Sequence, residues 1–400
     1  MTEAWGILRP DDIPSARRLQ SLGLTRAIRL FNDRAVPGMG SLWFAMPLIW
    51  SMLGITVARK LERRPIEAAN AVEALAMKLA LNGGDGKAHP RLRGRRNLPR
   101  VGWDFQALRK PGAYVTQPFR QSCTQPLVTL GLVEGTSVRF NSFRLTHEGE
   151  RLLEPLAAVH YEIEKWLGGG KRHDWSALSA IVPTASLPAA VRTELTRRVY
   201  GEGAAAERRK AIRDVGTQLT SDGVLDASSH GLAADHLIDV RGGIATVRLR
   251  DAALQVLGAV EDHIAKRRDD GLTPALALAE AGLNDEIRTR MAACVAEAER
   301  AAPHIEAAQE AESLTFLRDC RTADGLLQRL AKRDGVVIVL RDNVLAPGPA
   351  FGADGVALAA DDLAAAASGV PELPRIANLL ALTDDLSVST VRALIEKTSE

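Results

Sequence analysis

An uncharged run of residues from Gly38 to Ala58, GMGSLWFAMPLIWSMLGITVA, constrains the fold of this chain more than any other feature. The run is long enough to cross a bilayer, and a basic sequence beginning at Arg59 follows it. Pro47 lies in its middle, however, several small residues interrupt it, and the sequence contains no second run of this kind. We therefore expect Leu42 to Ile55 to form a buried core helix, or a helix docked on a partner, and no membrane interaction.

The composition favours a helical fold with more than one domain. Hydrophobic residues make up 46% and charged residues 25% of the 400 residues, which is usual for a globular protein. Aromatic residues are only 4%, so the core must be mostly Ala, Leu and Val, which suits closely packed helices. We expect a mainly α fold with small β-hairpins, in which winged-helix-like units accompany an Ala-rich helical body.

The cysteines and the N-terminus predict a cytoplasmic protein. Cys123, Cys294 and Cys320 form an odd set without CxxC spacing, as expected of buried free thiols in a reducing compartment. The first residues, MTEAWGILRPDD, lack the charged and apolar regions of a secretory signal.

Stretches rich in glycine, proline and charge divide the chain into four predicted ranges. Residues 1–82 are a helical N-terminal region, and 83–167 hold a basic loop and a winged-helix-like domain. A glycine-rich linker, GGGKRHD, precedes a helical domain at 175–310 that contains one predicted hairpin, HLIDVRGGIATVRL. Residues 311–400 contain a helix ending at Gly335, a hairpin turning at Asp342 and Asn343, and further helices, so they outline a possible second winged unit.

The stretch from Leu127 to Leu153, LVTLGLVEGTSVRFNSFRLTHEGERLL, predicts a helix end, a short hairpin and a new helix. Gly131 is the expected helix terminator, and Thr146 the expected cap of the following helix. Upstream, AYVTQ predicts a strand with Thr116 as a helix cap, and Pro126 is expected to break or kink the helix after it. The predicted core residues of this module are Leu130, Leu132, Phe143 and Leu145.

This stretch resembles the winged-helix superfamily, in which a recognition helix ends LxxLGLV and the second wing strand ends LTxxG. The matching residues are Leu127, Leu130, Gly131, Leu132, Val133, Leu145, Thr146 and Gly149. The resemblance spans about residues 114–153 and implies a helix-turn-helix fold that binds DNA, although many winged helices bind protein instead. Pro126 departs from the pattern and shortens the helix that would enter the major groove.

Clusters of basic residues indicate where the chain would contact DNA. The net charge of +2 supplies no global field, so DNA must be bound by a local patch. Basic residues crowd the loop before the hairpin, with Trp103, Phe105 and Tyr114 among them, and two more lie in or beside the wing. The predicted DNA-binding residues are Lys87, Arg91, Arg93, Arg95, Arg96, Arg100, Arg109, Lys110, Arg120, Arg139 and Arg144. The alternative interpretation is a solvated basic loop that serves solubility or pairs with acidic helices elsewhere in the chain.

Motifs of enzymatic chemistry are not found in the sequence. The glycine-rich segments at Gly83 and Gly168 lack full P-loop spacing, and the eight histidines show no metal-ligand spacing. Glu162 begins an EIEK sequence that a solvated helix face explains. We therefore predict no catalytic residue, no metal and no cofactor.

The predicted function is a non-catalytic DNA-binding subunit of a multi-protein bacterial system. The architecture is loosely similar to bacterial proteins encoded in phage-defence operons, so antiviral defence is the expected setting. The expected partners are duplex DNA, held mostly through phosphates, and other protein subunits. The alternative is an adaptor in which the winged units and the apolar segment Leu42 to Ile55 bind protein and the basic loop is incidental. A third hypothesis is an enzyme whose site is built from scattered residues.

Overall fold

The chain is mainly helical with a few short antiparallel strands, which confirms the expected fold class. This computed structural model describes residues 20–83, 89–110, 112–137, 139–170, 172–226, 231–352 and 369–387. The described residues form two compact units. The first comprises 20–34, 221–226 and 233–352, and the second comprises 35–220, 231–232 and 369–387. The predicted range 175–310 therefore contributes to both units.

Helices account for most of the elements along the chain. The helices up to residue 226 are α1 Thr25–Ala35, α2 Met46–Lys60, α3 Pro65–Asn82, α4 Phe105–Leu108, α5 Arg120–Thr129, α6 His147–Leu153, α7 Ala157–Leu167, α8 Trp175–Leu178, α9 Ala189–Val199, α10 Ala204–Val215 and α11 Ser221–Asp226. The later helices are α12 Ala234–Asp269, α13 Leu278–Ala281, α14 Asp285–Ala308, α15 Ala311–Cys320, α16 Leu326–Asp334 and α17 Pro374–Leu386. The strands are β1 Val133–Glu134, β2 Arg144–Leu145, β3 Leu276–Ala277, β4 Ile338–Arg341 and β5 Val344–Pro347.

The first unit is built on the long helix α12, and the hairpin predicted within that segment is wrong. Residues 234–269 form one continuous helix of 36 residues, which packs along α14. A Cβ added to Gly242 would lie 2.5 Å from the Cβ of Ala308 and 3.0 Å from the ring of Phe31. The glycine therefore lets neighbouring helices approach closely instead of forming a turn.

The C-terminal hairpin of the first unit is confirmed. Helix α16 ends at Asp334 with Gly335 as its C-cap, and the turn residues Asp342 and Asn343 have φ of 48° and 63°, as a two-residue hairpin turn requires. Strand β3, which the sequence did not indicate, extends the hairpin to a sheet of order β3-β5-β4. With two residues, β3 is too short to carry an alternating pattern.

The second unit is centred on α2, which confirms that the apolar segment is buried. Every residue from Met46 to Ile55 is buried, and α2 packs along α3. Gly54 permits this packing, because a Cβ there would lie 2.4 Å from the Cα of Ala69. Of the described helices, none is both long enough and apolar enough to span a membrane.

The helix before the hairpin differs from its prediction. AYVTQ forms no strand, and α5 starts at Arg120 with Phe119 in the N-cap position, so Thr116 caps nothing. Pro126 lies inside α5 without breaking it. Pro126 leaves the Ser122 carbonyl without its usual helical donor, and that oxygen lies 3.1 Å from where a Cβ on Gly40 would stand.

The glycines and the threonine of the winged-helix pattern lie together, around the successive carbonyls of Gly131 and Leu132. Gly131 has φ of 65° after α5, and Thr146 caps α6 by accepting the Gly149 N–H. The Thr146 hydroxyl donates to the Gly131 carbonyl at 2.7 Å, and the Thr146 N–H donates to the Leu132 carbonyl at 3.1 Å. A Cβ on Gly149 would lie 2.2 Å from that carbonyl oxygen, so a larger residue does not fit.

The predicted module core is largely confirmed. Leu130, Leu132 and Phe143 are at most 3% exposed, while Leu145 is half-buried. Strands β1 and β2 are antiparallel, and Val133 lies opposite Leu145.

The glycine-rich segment predicted as a domain linker lies inside the second unit. The side chain of His173 is 8% exposed, and the Asp174 N–H donates to the buried Glu162 carboxylate at 3.0 Å. These contacts hold the segment against α7, so it does not separate compact units.

Candidate nucleic-acid interface

A groove of about 600 Å³ in the second unit lies among the start of α3, helix α4, the loop 112–118 and the start of α5. Its lining includes Arg109, Lys110, Arg120 and Gln121, together with apolar side chains such as Ile66. Three residues predicted to bind DNA thus meet at one depression.

A buried carboxylate fixes one wall of this groove. Glu73 of α3 accepts the backbone N–H groups of Phe119 and Arg120 at 2.7 and 3.0 Å, at the start of α5. Burial raises the pKa of Glu73 to about 7, while the two backbone donors act to lower it. The carboxylate therefore ties α5 to α3.

The β1–β2 hairpin is fastened beside the groove. The Asn141 side-chain oxygen accepts the Ile66 N–H at the start of α3 at 3.0 Å. The Arg120 guanidinium lies 4.9 Å from the centre of the Phe140 ring. Arg59, at the end of α2, donates to the Phe143 carbonyl at 2.9 Å. We call the groove together with residues 133–137 and 139–145 the hairpin–groove surface.

Four of the predicted DNA-binding arginines are occupied by structural contacts. Arg91 forms an ion pair with Asp385 at 2.7 Å, and Arg109 forms one with Glu67 at 2.6 Å. Arg93 lies 3.6 Å from the centre of the Phe119 ring and donates to the Gln117 carbonyl. Arg120 is 8% exposed and donates to the Asn70 side chain at 2.7 Å. These contacts hold the second unit together, and they reduce what the four arginines can offer to a phosphate.

The other predicted side chains point outward. Within the described part of the chain, no ion pair engages Arg96, Arg100, Lys110, Arg139 or Arg144, and all five are exposed. Arg95 is exposed as well and makes a long contact of 3.5 Å to the His89 carbonyl. Lys87 lies outside the described residues.

The loop 112–119 connects the segment that carries the arginines at 91–100 with the groove. The Asn97 side chain donates to the carbonyls of Gly112 and Tyr114, and Arg93 stacks on Phe119 at the other end of the loop. Residues of the same loop line the groove, so the exposed arginines at 96 and 100 belong to a segment packed on the groove wall.

Residues that the prediction missed lie in the turn between α2 and α3. Arg59, Arg63 and Arg64 are exposed, and the pKa of Arg59 is lowered by its partial burial and by the nearby charge of Arg144. Arg64 and Arg109 both contact Glu67, which shares its charge between them. The RKLERR sequence after the apolar run was the signal that could have found these residues.

The interleaved aromatic residues do not form a stacking surface for bases. Tyr114 and Phe105 are buried, and Trp103 lies in a different cavity of the second unit. The exposed face of α5 instead carries Gln121, Gln125 and Val128.

Groups suited to metal chemistry are not found among the residues that the structure describes, where no three His, Cys, Asp or Glu side chains are placed to hold an ion. Comparison with protein families, with curated proteins and with solved structures finds no match for this chain. The likeness to winged helices thus remains a resemblance of local sequence.

Proposed function

We propose that the protein binds duplex DNA through the hairpin–groove surface, mostly by contacts to phosphates. The observation that carries this proposal is the pair of exposed arginines on the hairpin, Arg139 and Arg144, which no described acid neutralises. Guanidinium groups suit phosphate oxygens, and a hairpin braced against two helices fixes the backbone positions from which these side chains reach.

Lys110 and the cations of the preceding segment extend this surface. Lys110 lines the groove, and Arg96 and Arg100 are exposed on the segment that packs against the groove wall. Contacts of this kind position a duplex and read no sequence. Gln121 and Gln125 on the exposed face of α5 are groups that could bind adenine edges, so any base preference is assigned to them.

The adaptor alternative loses one of its two supports. It relied partly on the apolar segment Leu42 to Ile55 as a docking surface, and the chain's own core covers that segment. The predicted winged-helix-like units are the support that remains for a protein partner.

The wider setting is part of the same proposal. In it, the protein is a cytoplasmic DNA-binding subunit of a bacterial multi-protein system, with antiviral defence as its role, and a partner subunit supplies catalysis. The three cysteines, which are buried and free, suit a reducing compartment.

The test compares two double variants of the full chain by fluorescence anisotropy with a labelled duplex at several salt concentrations. Arg139→Ala with Arg144→Ala removes two charges from the hairpin. Each lost phosphate contact should flatten the slope of log K against log salt by about 0.9, so we expect a loss of up to about two units. Unrelated duplexes should be affected alike.

The matched control is Arg26→Ala with Arg29→Ala, which removes the same charge from exposed positions of the first unit where no described acid forms an ion pair with either arginine. It should bind as the parent does. Equal loss in both double variants would show that net charge alone matters, and a parent that does not bind at low salt would leave the adaptor as the better proposal. Melting temperatures check that all variants fold.

A further inference from the structure

A second cavity of the second unit, of about 370 Å³, has aromatic rings at five of its ten described lining residues. Three of them are tryptophans, namely Trp103 after the basic segment, Trp166 near the end of α7 and Trp175 at the start of α8. Phe105 and His173 complete the aromatic lining. We call this cavity the tryptophan pocket. None of the predicted DNA-binding residues that the structure describes lines it.

The rings meet at steep angles. The centres of Trp103 and Trp175 are 5.4 Å apart with 64° between their planes, and His173 and Trp175 are 5.3 Å apart at the same angle. Phe105 and Trp166 are nearly perpendicular, with centres 5.8 Å apart. Rings arranged in this way present walls in several directions, unlike the parallel slot that suits a flat base.

Hydrogen bonds beside the lining rings keep the walls of this pocket in place. Trp166 Nε1 donates to the Trp103 carbonyl at 2.8 Å. Asp104 caps α4 by accepting the Ala107 N–H at 2.9 Å, and Asp174 caps α8 by accepting the Ser176 N–H at 2.9 Å. Trp175 is nevertheless 40% exposed, so the pocket is open on its side.

The electrostatics of the pocket favour a positive ligand. No lysine or arginine is among the described lining residues, and Asp104 is the carboxylate among them. The buried Lys78 ammonium, held by the carbonyls of Leu98 and Val101, lies 4.8 Å from the centre of the Trp103 ring, so it already takes one face of this ring and a ligand has to use the remaining ring surface of the pocket. A phosphate-bearing ligand would meet Asp104 without a compensating cation in the lining.

We propose that the tryptophan pocket binds a quaternary ammonium group, against the faces of Trp103 and Trp175 with Asp104 as the counter-charge. A methylated ammonium is large, weakly hydrated and positive, so it gains from aromatic faces without losing strong hydrogen bonds to water. The group could belong to a small choline-like molecule or to a trimethylated lysine side chain of a protein, and both present the same chemistry. This site does not depend on the DNA-binding proposal.

The experiment titrates the full chain at about 150 mM salt, near physiological ionic strength, with choline, with a short peptide containing trimethyllysine and with 3,3-dimethylbutanol, the uncharged analogue of choline. Binding is followed by calorimetry and by tryptophan fluorescence. We expect choline or the peptide to bind about tenfold more tightly than the uncharged analogue, the ratio expected of a desolvated cation–π contact. Whichever of the two binds more tightly identifies the source of the group.

Two variants locate the site. Trp175→Ala removes a half-exposed ring and should weaken binding about tenfold, whereas Tyr161→Ala removes an exposed ring of α7 that does not line the pocket and should have no effect. Asp104→Asn keeps a helix-capping side chain and removes the charge. It should therefore weaken binding of the cation and leave the affinity for the uncharged analogue unchanged.

Equal binding of choline and its uncharged analogue would overturn the proposal. So would an unchanged affinity in Trp175→Ala, or failure of both cations to bind at millimolar concentrations. Adenosine binding in the pocket in place of either cation would also overturn it and would assign the pocket to nucleobases.

Discussion

At the scale of single residues, the arginines near the hairpin divide into those that hold the fold and those that face solvent. Arg120 is enclosed between Asn70 and the Phe140 ring, while Arg139 is exposed. Replacing an enclosed guanidinium leaves its partners unpaired and costs stability, so a loss of binding in such a variant would have two causes. The exposed arginines therefore give cleaner tests of DNA binding.

Glu73 yields a prediction about pH. Its pKa is raised by burial to about 7 in the folded chain, against an ordinary value of 4.5. Between these values the folded state holds a proton that the unfolded state has lost, so the free energy of unfolding falls as pH rises from about 4.5 to about 7. Glu73→Gln cannot titrate, and its melting temperature should change less between about pH 5 and about pH 8 than that of the parent. The same pH difference in both proteins would contradict this.

At the scale of elements, the contacts between helices decide the role of glycines that look alike in sequence. Gly242 and Gly258 both lie within α12. A Cβ at Gly242 would clash with Ala308 and Phe31, whereas nothing lies within 4 Å of a Cβ at Gly258. The same substitution should therefore have opposite effects at the two positions.

We predict that Gly242→Ala destabilises the first unit by about 1–3 kcal/mol through overpacking. Gly258→Ala should stabilise it by about 0.5–1 kcal/mol, because alanine restricts the unfolded chain and favours helix. Thermal melting followed by circular dichroism measures both shifts. Shifts in the same direction would mean that α12 does not approach its neighbours as closely at Gly242 as the structure shows.

At the scale of the whole molecule, a net charge of +2 is too small to attract DNA over long distances. The proposed DNA binding must come from a local set of cations, and five of the cations predicted from the sequence, at positions 96, 100, 110, 139 and 144, are exposed on or beside the hairpin–groove surface without an ion pair among the described residues. Other charges of the chain are engaged in ion pairs, as in Arg198 with Glu148 at 2.7 Å.

We therefore predict a bounded salt dependence for duplex binding by the full chain. If all five cations contact phosphate, the slope of log K against log salt should reach about −4.5, and it should be shallower if fewer do. Anisotropy between about 50 and 200 mM salt measures it. An affinity that does not change with salt would exclude phosphate contacts as the basis of binding.

Features of the fold that depend on nearby residues could be predicted from the sequence. Gly131, Thr146 and the Asp342–Asn343 turn were found because a left-handed backbone or a helix cap is fixed by one or two residues. The burial of Leu42 to Ile55 followed from composition, because so long an apolar run must leave water.

Features that depend on distant partners were decided by the tertiary structure alone. The paired glycines of α12 looked like a turn, and only the approach of Ala308 and Phe31 explains a glycine there. The basic cluster looked uniform, yet Arg91 pairs with Asp385, which is far away along the chain, while Arg96 stays exposed. Local sequence cannot distinguish the two, because the free energy of a charged side chain depends on the groups that folding places beside it.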